Sequence, residues 1–291
     1  MPQQFLEQLF KFAAESIPSD KILAAKKDYQ KETGEAYEDD KSYSTRMALF
    51  LEWYLFDNYQ EKSLKTIHEV LLEESSEAWD SDQIKIYNDF NENIQGLFLV
   101  KKVKGASVKV LNLFTSEIFL VQEKESGLIF RKNDIFQGRI ISFQEQYHFT
   151  GNFCFHPEKT HKFIKLEVRS IAKFLMELKN DLEKIKNELL KEQILLQKQE
   201  ININKLKDRI KNIDSEKKIN DINQELKFLT EKKDDQIQSI DELEKKNFTI
   251  INDKIKIEGK KQINTLINRF SYMNLKWERS RQIDISDIYK N

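Results

Sequence analysis

The chain has 291 residues, 48 Lys/Arg against 49 Asp/Glu, one cysteine, and only 7 glycines and 3 prolines. These counts leave room for one to three domains, exclude an internal disulfide and suit long helices better than an ordinary globular domain. No run approaches the ~18 consecutive apolar residues of a membrane span, and Met1-Pro2-Gln3-Gln4-Phe5 lacks the basic and apolar regions of a secretion signal. A soluble, cytoplasmic, bacterial protein is expected.

The formal net charge of −1 hides an asymmetry: residues 1–100 hold 10 Lys/Arg against 20 Asp/Glu. An acidic first part and a basic remainder could steer packing between parts or subunits, or attract a polyanion.

In chain order, Phe5, Leu6, Leu9, Phe10 and Ala13 mark an amphipathic helix ending before Pro18. Residues Glu32 to Tyr43 read as an acidic loop carrying Gly34. A helix is expected from about Thr45, with Ser44 as N-cap. It runs through Met47, Leu49, Phe50, Leu51, Trp53, Tyr54, Leu55 and Phe56, so apolar all round that it should be buried. Trp53 is the expected anchor of that core. Two more helices follow, from about Ser63 to Glu74 and from about Ser81 to Asn93.

The period then changes. Leu97–Val100, Ser107–Asn112 and Glu117–Val121 read as strands, Ser126 and Gly127 as a turn, and Arg139–Phe143 and Tyr147–Phe155 as two more strands around Gln144-Glu145-Gln146. Five short strands linked by tight turns predict a small SH3-like or OB-like β-barrel, closed by Pro157.

From Glu158 to Glu258 there is neither glycine nor proline. Apolar residues recur at alternating three- and four-residue steps: Val168, Ile171, Leu175, Leu178, Leu182, Ile185, Leu189. That 3.5-residue repeat is the seam of a coiled coil. The outward half continues through Glu192, Leu196, Gln199, Ile203, Leu206, Ile210 and Ile213. After the polar run Asp214 to Lys218, Ile219, Ile222, Leu226, Leu229, Lys233, Ile237, Ile240, Leu243, Ile250 and Ile257 form a return. Laid antiparallel the two lists largely mirror each other: Ile210 faces Ile222, Leu206 faces Leu226, Ile203 faces Leu229, and the polar Gln199 faces Lys233. An antiparallel hairpin with its tip near 214–218 is expected; the alternative is one continuous helix in a parallel dimer. The tail from Ile263 to Trp277 carries an apolar stripe and a basic end, and is expected to fold back on the head and bury Trp277.

Several of these segments carry a resemblance. Phe50-Leu51-Glu52-Trp53-Tyr54-Leu55-Phe56-Asp57, the Ser63-Leu64 helix start and Gly96-Leu97-Phe98 belong to it, as do Leu111 to Glu117 and Lys132 to Ile140. Together they resemble an uncharacterised bacterial family in which a helical "FLEWF-FD" segment precedes a small β-barrel. The likeness spans roughly residues 30–160. It implies the fold of that part and no catalytic residues.

The constellations that could carry chemistry are few. His148, Cys154, His156 and His161 lie close enough in sequence for a zinc site, but no Cys-x-x-Cys knuckle accompanies them and Pro157 interrupts them, so packing is expected and no metal. Flanked by Phe153 and Phe155, Cys154 reads as buried rather than nucleophilic. No Gly-x-Gly or Gly-Lys-Ser/Thr phosphate loop occurs, and paired carboxylates such as Asp39–Asp40 and Glu73–Glu74 read as solvated surface. No catalytic residue, cofactor or enzymatic activity is expected.

The fold expected is α+β, mainly α. An acidic helical head (1–95) is followed by a small β-barrel (96–157), a coiled-coil arm (158–258) and a tail (259–291) folded back on the head. The function expected is that of a non-enzymatic scaffold or adaptor whose arm mediates protein–protein interaction or assembly, including homo-oligomerisation. Leu182, Leu189, Ile203, Leu206, Ile210, Ile222, Leu226 and Leu229 form the seam. The alternative is nucleic-acid binding by the barrel. Lys101, Lys102, Lys104, Arg131 and Lys132 would make the contacts, with Lys109 and Arg139 nearby and Phe98 as an aromatic platform.

Overall fold

The computed structural model describes residues 2–60, 65–74, 76–123, 129–212, 215–280 and 282–290. It is an α+β protein, mainly α, with one six-stranded mixed sheet. The chain divides into two compact units, residues 1–175 with 259–291, and residues 176–258.

The first unit begins with α1 (Pro2–Ser16), α2 (Ser19–Thr33), α3 (Tyr43–Phe56), α4 (Ile67–Glu74) and α5 (Ser81–Asp89). Helix α2 occupies a stretch whose apolar pattern is too weak to announce it. Helix α3 starts earlier than its expected cap: Ser42 stands at the N-terminus without capping it, because its hydroxyl is engaged by Arg46 and Glu278 instead. Asp80 caps α5 in a reciprocal capping box with Gln83. The expected helix start at Ser63-Leu64 lies outside the described residues.

Leu6, Leu9, Phe50, Tyr54, Leu55, Phe56, Tyr87 and Phe90 bury together against Ile141 and Phe143 of the sheet. Trp53 sits at the edge of this core, half-buried with its ring 5.1 Å from that of Tyr29. Two charged residues of α3, Arg46 and Glu52, are buried, so the helix is covered on all sides without being apolar on all sides.

The strands are β1 (Ile94–Lys104), β2 (Ser107–Asn112), β3 (Ile118–Gln122), β4 (Ile135–Phe143), β5 (Gln146–Phe149) and β6 (Cys154–His156). The stretch expected as one strand, Tyr147–Phe155, is two, broken at Gly151, whose φ of 95° only glycine adopts cheaply. The expected Ser126-Gly127 turn lies outside the described residues. Strand β1 pairs antiparallel with β2 and with β4, β2 with β3, β4 with β5 and β6, while β3 and β5 run parallel. Following the pairings from β1 through β2, β3, β5 and β4 leads back to β1.

Phe98, Val100, Val108, Val110, Val121, Phe136, Ile140 and Phe149 pack on one side of the strands. Leu97, Leu99 and Ile135 point the other way. They meet Ile164 and Val168 at the start of α6 (His161–Ile210), Ile267, Phe270 and Met273 of α9 (Lys260–Arg279), and Ile285 of α10 (Ile285–Ile288). The unbroken apolar run Leu97–Val100 is what a strand covered on both faces requires, and each large side chain fully buried in this way contributes about 1.5–3 kcal/mol.

Helix α9 is tied down by polar contacts as well. Arg46 Nη1 donates to the carbonyl oxygen and Oγ of Ser271 and Nη2 to Asn274 Oδ1, all at 3.1 Å. Asn274 Nδ2 donates to the Phe155 carbonyl. At Gly34 (φ 79°) an added Cβ would lie 2.5 Å from the Tyr272 ring, so α9 approaches there only because glycine has no side chain. Trp277, expected to be buried by this packing, is 39% exposed. The stripe that α9 buries lies on Ile267, Phe270, Ser271 and Asn274, and Trp277 falls at its margin.

The second unit contains the rest of α6, α7 (Glu216–Glu242) and α8 (Thr249–Lys254), with a π-helical stretch at Leu243–Phe248 and another, Ile255–Gly259, that ends one residue into the first unit. Along α6 the covered positions from Leu178 onward are Leu182, Ile185, Leu189, Glu192, Leu196, Gln199, Ile203, Leu206 and Ile210. Along α7 they are Ile219, Ile222, Leu226, Leu229, Lys233, Gln236 and Ile240. Gln236 Nε2 donates to Glu192 Oε2 (2.8 Å) and Lys233 pairs with Glu200 (2.8 Å), so partners follow each other in antiparallel order. Ile237, expected in the return stripe, is exposed, and Gln236 takes the covered place. The three-and-four spacing continues through Gln236, and Ile237 falls one step off it. The spacing reaches Leu243, and Ile257 is covered as well, with π-helical turns between them; the side chain of Ile250 lies outside the described residues. Helix α6 ends at Ile210 and α7 starts after Ser215; Ile213 and Asp214 lie outside the described residues.

Candidate functional site

Strands β1 and β2 are in simple register at Leu99↔Leu111 and Val100↔Val110, then the register slips. Lys102 stands opposite Lys109, and Lys104 opposite Ser107, leaving Lys101 as the extra residue of a bulge. Strand side chains alternate between faces, so two successive residues normally part company. Both Lys101 and Lys102 are exposed here. The outward face of β1, covered by helices at Leu97 and Leu99, thus becomes lysine where that cover ends.

On the other side of β1, the Val100 amide donates to the Asp134 carbonyl and the Asn133 amide to the Val100 carbonyl, both at 2.9 Å. That places the turn bearing Arg131 and Lys132 beside the bulge. All five cations singled out by sequence, Lys101, Lys102, Lys104, Arg131 and Lys132, therefore gather with Lys109 across three adjacent strand segments. All six are exposed, and none has an ion pair among the described residues. Next to them, Lys109 pairs with Leu120 and Leu111 with Ile118 on β3. Phe119 and Val121 point inward, leaving Leu120 56% and Ile118 54% exposed.

Two residues expected at this surface are elsewhere. Phe98 is fully buried, with its ring 5.7 Å from that of Phe136. The alternation that puts Lys102 outside puts Phe98 and Val100 inside. Arg139 is 1% exposed. It donates to Asp57, to Asn93 and, at 2.8 Å, to Gln95 Oε1, and its Nε lies 3.4 Å from Glu52 Oε2. Asn152 donates to the other Glu52 oxygen at 2.7 Å. Burial holds the Glu52 carboxyl above its ordinary pKa, partly offset by Arg139. The sequence signal for this cluster was two acids, Glu52 within the apolar run of α3 and Asp57 just past its end.

The His–Cys group is built into the core. His156 Nδ1 and the Tyr289 hydroxyl are 3.1 Å apart, and His161 Nε2 donates to the His156 carbonyl at 3.0 Å. Burial pushes His156 down to about 3 and the Cys154 thiol up to about 12. His148 lies on β5 beside Phe143. Among the described residues no three His, Cys, Asp or Glu are disposed to hold a metal ion. An open pocket of about 370 Å³ between α1 and the strands is lined by Gln3, Gln122, Glu123, Gln144, Gln146 and His148.

Fold and site together define an α+β protein with an exposed cationic strand face and no helix long and apolar enough to cross a membrane among the described residues. The chain belongs to DUF7986, a family of unknown function, which it matches over residues 5–189. No curated protein and no solved structure matches it.

Proposed function

We propose that the chain is a non-enzymatic adaptor of the bacterial cytoplasm whose arm, residues 176–258, holds a protein partner. In this reading α6 and α7 form an antiparallel coiled-coil hairpin, and the strands close into a small barrel of OB kind. The return of the strand pairings to β1 and the parallel β3–β5 pair support the barrel. The 3.5-residue spacing of the covered positions supports the hairpin. A free, buried Cys154 suits a reducing compartment.

The observation that carries the adaptor reading is on the outside of the arm. Leu190, Ile194 and Ile201 are exposed on α6, away from the positions that α7 covers. Their spacing puts them on one side of the helix, as in helices that lay an apolar stripe into a partner. The test is affinity purification from the native host of the full chain and of its Ile194→Glu, Ile201→Glu variant. A protein retained by the first and lost by the second supports the reading; identical sets of captured proteins sink it.

A further inference from the structure

We infer that the exposed face of β1, β2 and β3 binds single-stranded nucleic acid, with Lys101, Lys102, Lys104, Lys109, Arg131 and Lys132 on the phosphates and Leu120 and Ile118 under the bases.

The first support is electrostatic. Lysines elsewhere in the chain are commonly neutralised by a carboxylate three or four residues away, as Lys184 is by Asp181, Lys186 by Glu183, Lys211 by Asp208 and Lys245 by Asp241. Among the described residues none of the six cations of the strand face is in an ion pair; Asp134, three residues beyond Arg131, accepts from the Arg131 backbone amide. Lys102 and Lys109 even face each other directly across the ladder, an arrangement that destabilises a sheet. The bulge adds Lys101 to the same side. A fold that concentrates unpaired like charge at one place gains most from an anion that lies across it.

The second support is geometric. From the Arg131–Lys132 turn across β1 and β2 to β3 is three strand spacings, about 14 Å. Cations occupy the first three segments and exposed apolar side chains the last, where Leu120 pairs with Lys109. A single strand presents phosphates along one side and open base faces along the other. Small-barrel surfaces hold the first in a basic groove and the second on side chains that are commonly aromatic, a place taken here by the aliphatic Leu120 and Ile118. A duplex keeps its bases stacked and would leave Leu120 and Ile118 without a contact. An anionic membrane would need apolar residues that project beyond the cations, whereas Leu120 and Ile118 lie within a paired strand.

The test uses the full chain and a short fluorescent oligothymidylate, followed by anisotropy from about 25 to 200 mM salt. Each neutralised phosphate lowers the log–log salt slope by about 0.7 for a single strand, so six contacts give a slope of roughly −4. Lys101→Gln, Lys102→Gln, Lys109→Gln should bind more weakly with a slope shallower by about 2. Removing opposed lysines should not lower its melting temperature, and Lys102→Gln alone, with a slope change of about 0.7, serves if the triple variant misfolds. Leu120→Ala should weaken binding with the slope unchanged. Replacing Lys184, Lys186 and Lys211 by glutamine should change nothing. The proposal is overturned by no binding at low salt, by an unaltered slope in the lysine variants of the strand face, or by tighter binding of the matching duplex or of phosphatidylserine vesicles.

Discussion

Asp57, just past the C-terminus of α3, and Arg139, in the middle of β4, form an ion pair with both side chains almost fully buried. It joins the helices to the sheet, and the second carboxylate, Glu52, lies on the same guanidinium. A pair so deeply buried costs desolvation to form, yet losing one partner costs far more, because it strands charge in a medium that cannot solvate it.

Arg139→Met should therefore destabilise the first unit by about 3–5 kcal/mol in urea unfolding. The loss should shrink at acid pH. Glu52 already sits above its ordinary pKa through burial. Without Arg139 it rises further, and an acid whose folded pKa is raised contributes less stability as pH climbs through that value. A variant as stable as the parent, or one equally impaired at pH 5 and pH 8, would show that Arg139 does not hold the two acids.

A second expectation concerns His68 of α4, fully buried with Nε2–H donating to the Tyr87 carbonyl at 2.8 Å. Burial pushes its pKa from 6.5 down to about 4. The neutral ring is favoured in the folded state, so its contribution is complete above pH 6.5 and is lost as pH falls toward 4, on the order of 3 kcal/mol in all. His68→Gln keeps a donor and cannot titrate. It should lose less stability than the parent between pH 7 and pH 4.5 in urea melts; equal losses would refute the assignment.

Cys154 should react slowly with a thiol reagent in the native protein and rapidly once unfolded, since burial pushes its thiol up to about 12 and leaves little thiolate. Fast labelling of the native chain would place the thiol at the surface.

In the arm, Leu206→Cys with Leu226→Cys in a Cys154→Ser background should form an intrachain disulfide at high dilution. Both positions are covered, and the Glu200–Lys233 pair lies nearby on the same two helices. Crosslinks between chains with none within a chain would favour a parallel dimer.

Much of the architecture was legible because period reports covering. Three-and-four spacing in α6 and α7 selects the residues that are covered there. Alternation along β3 separates Phe119 and Val121 from Ile118 and Leu120. Where pattern was weak, as in α2, the sequence offered little. Where one step of spacing decided between neighbours, as between Gln236 and Ile237, hydrophobicity pointed to the wrong one.

What the sequence by itself determined is thus the kind of each strong element, the α+β class and the presence of cations between residues 101 and 132. The tertiary structure decided which charges are surface and which are core. Arg139 and Lys132 look alike in a basic stretch, but only Arg139 meets Asp57 and Glu52, residues some eighty positions distant. Phe98 and Lys102 share a strand, and the helices over Leu97 and Leu99 together with the bulge at Lys101 decide which side chains face water. Local period specifies a face; what lies against that face depends on contacts between distant segments, which no window of sequence contains.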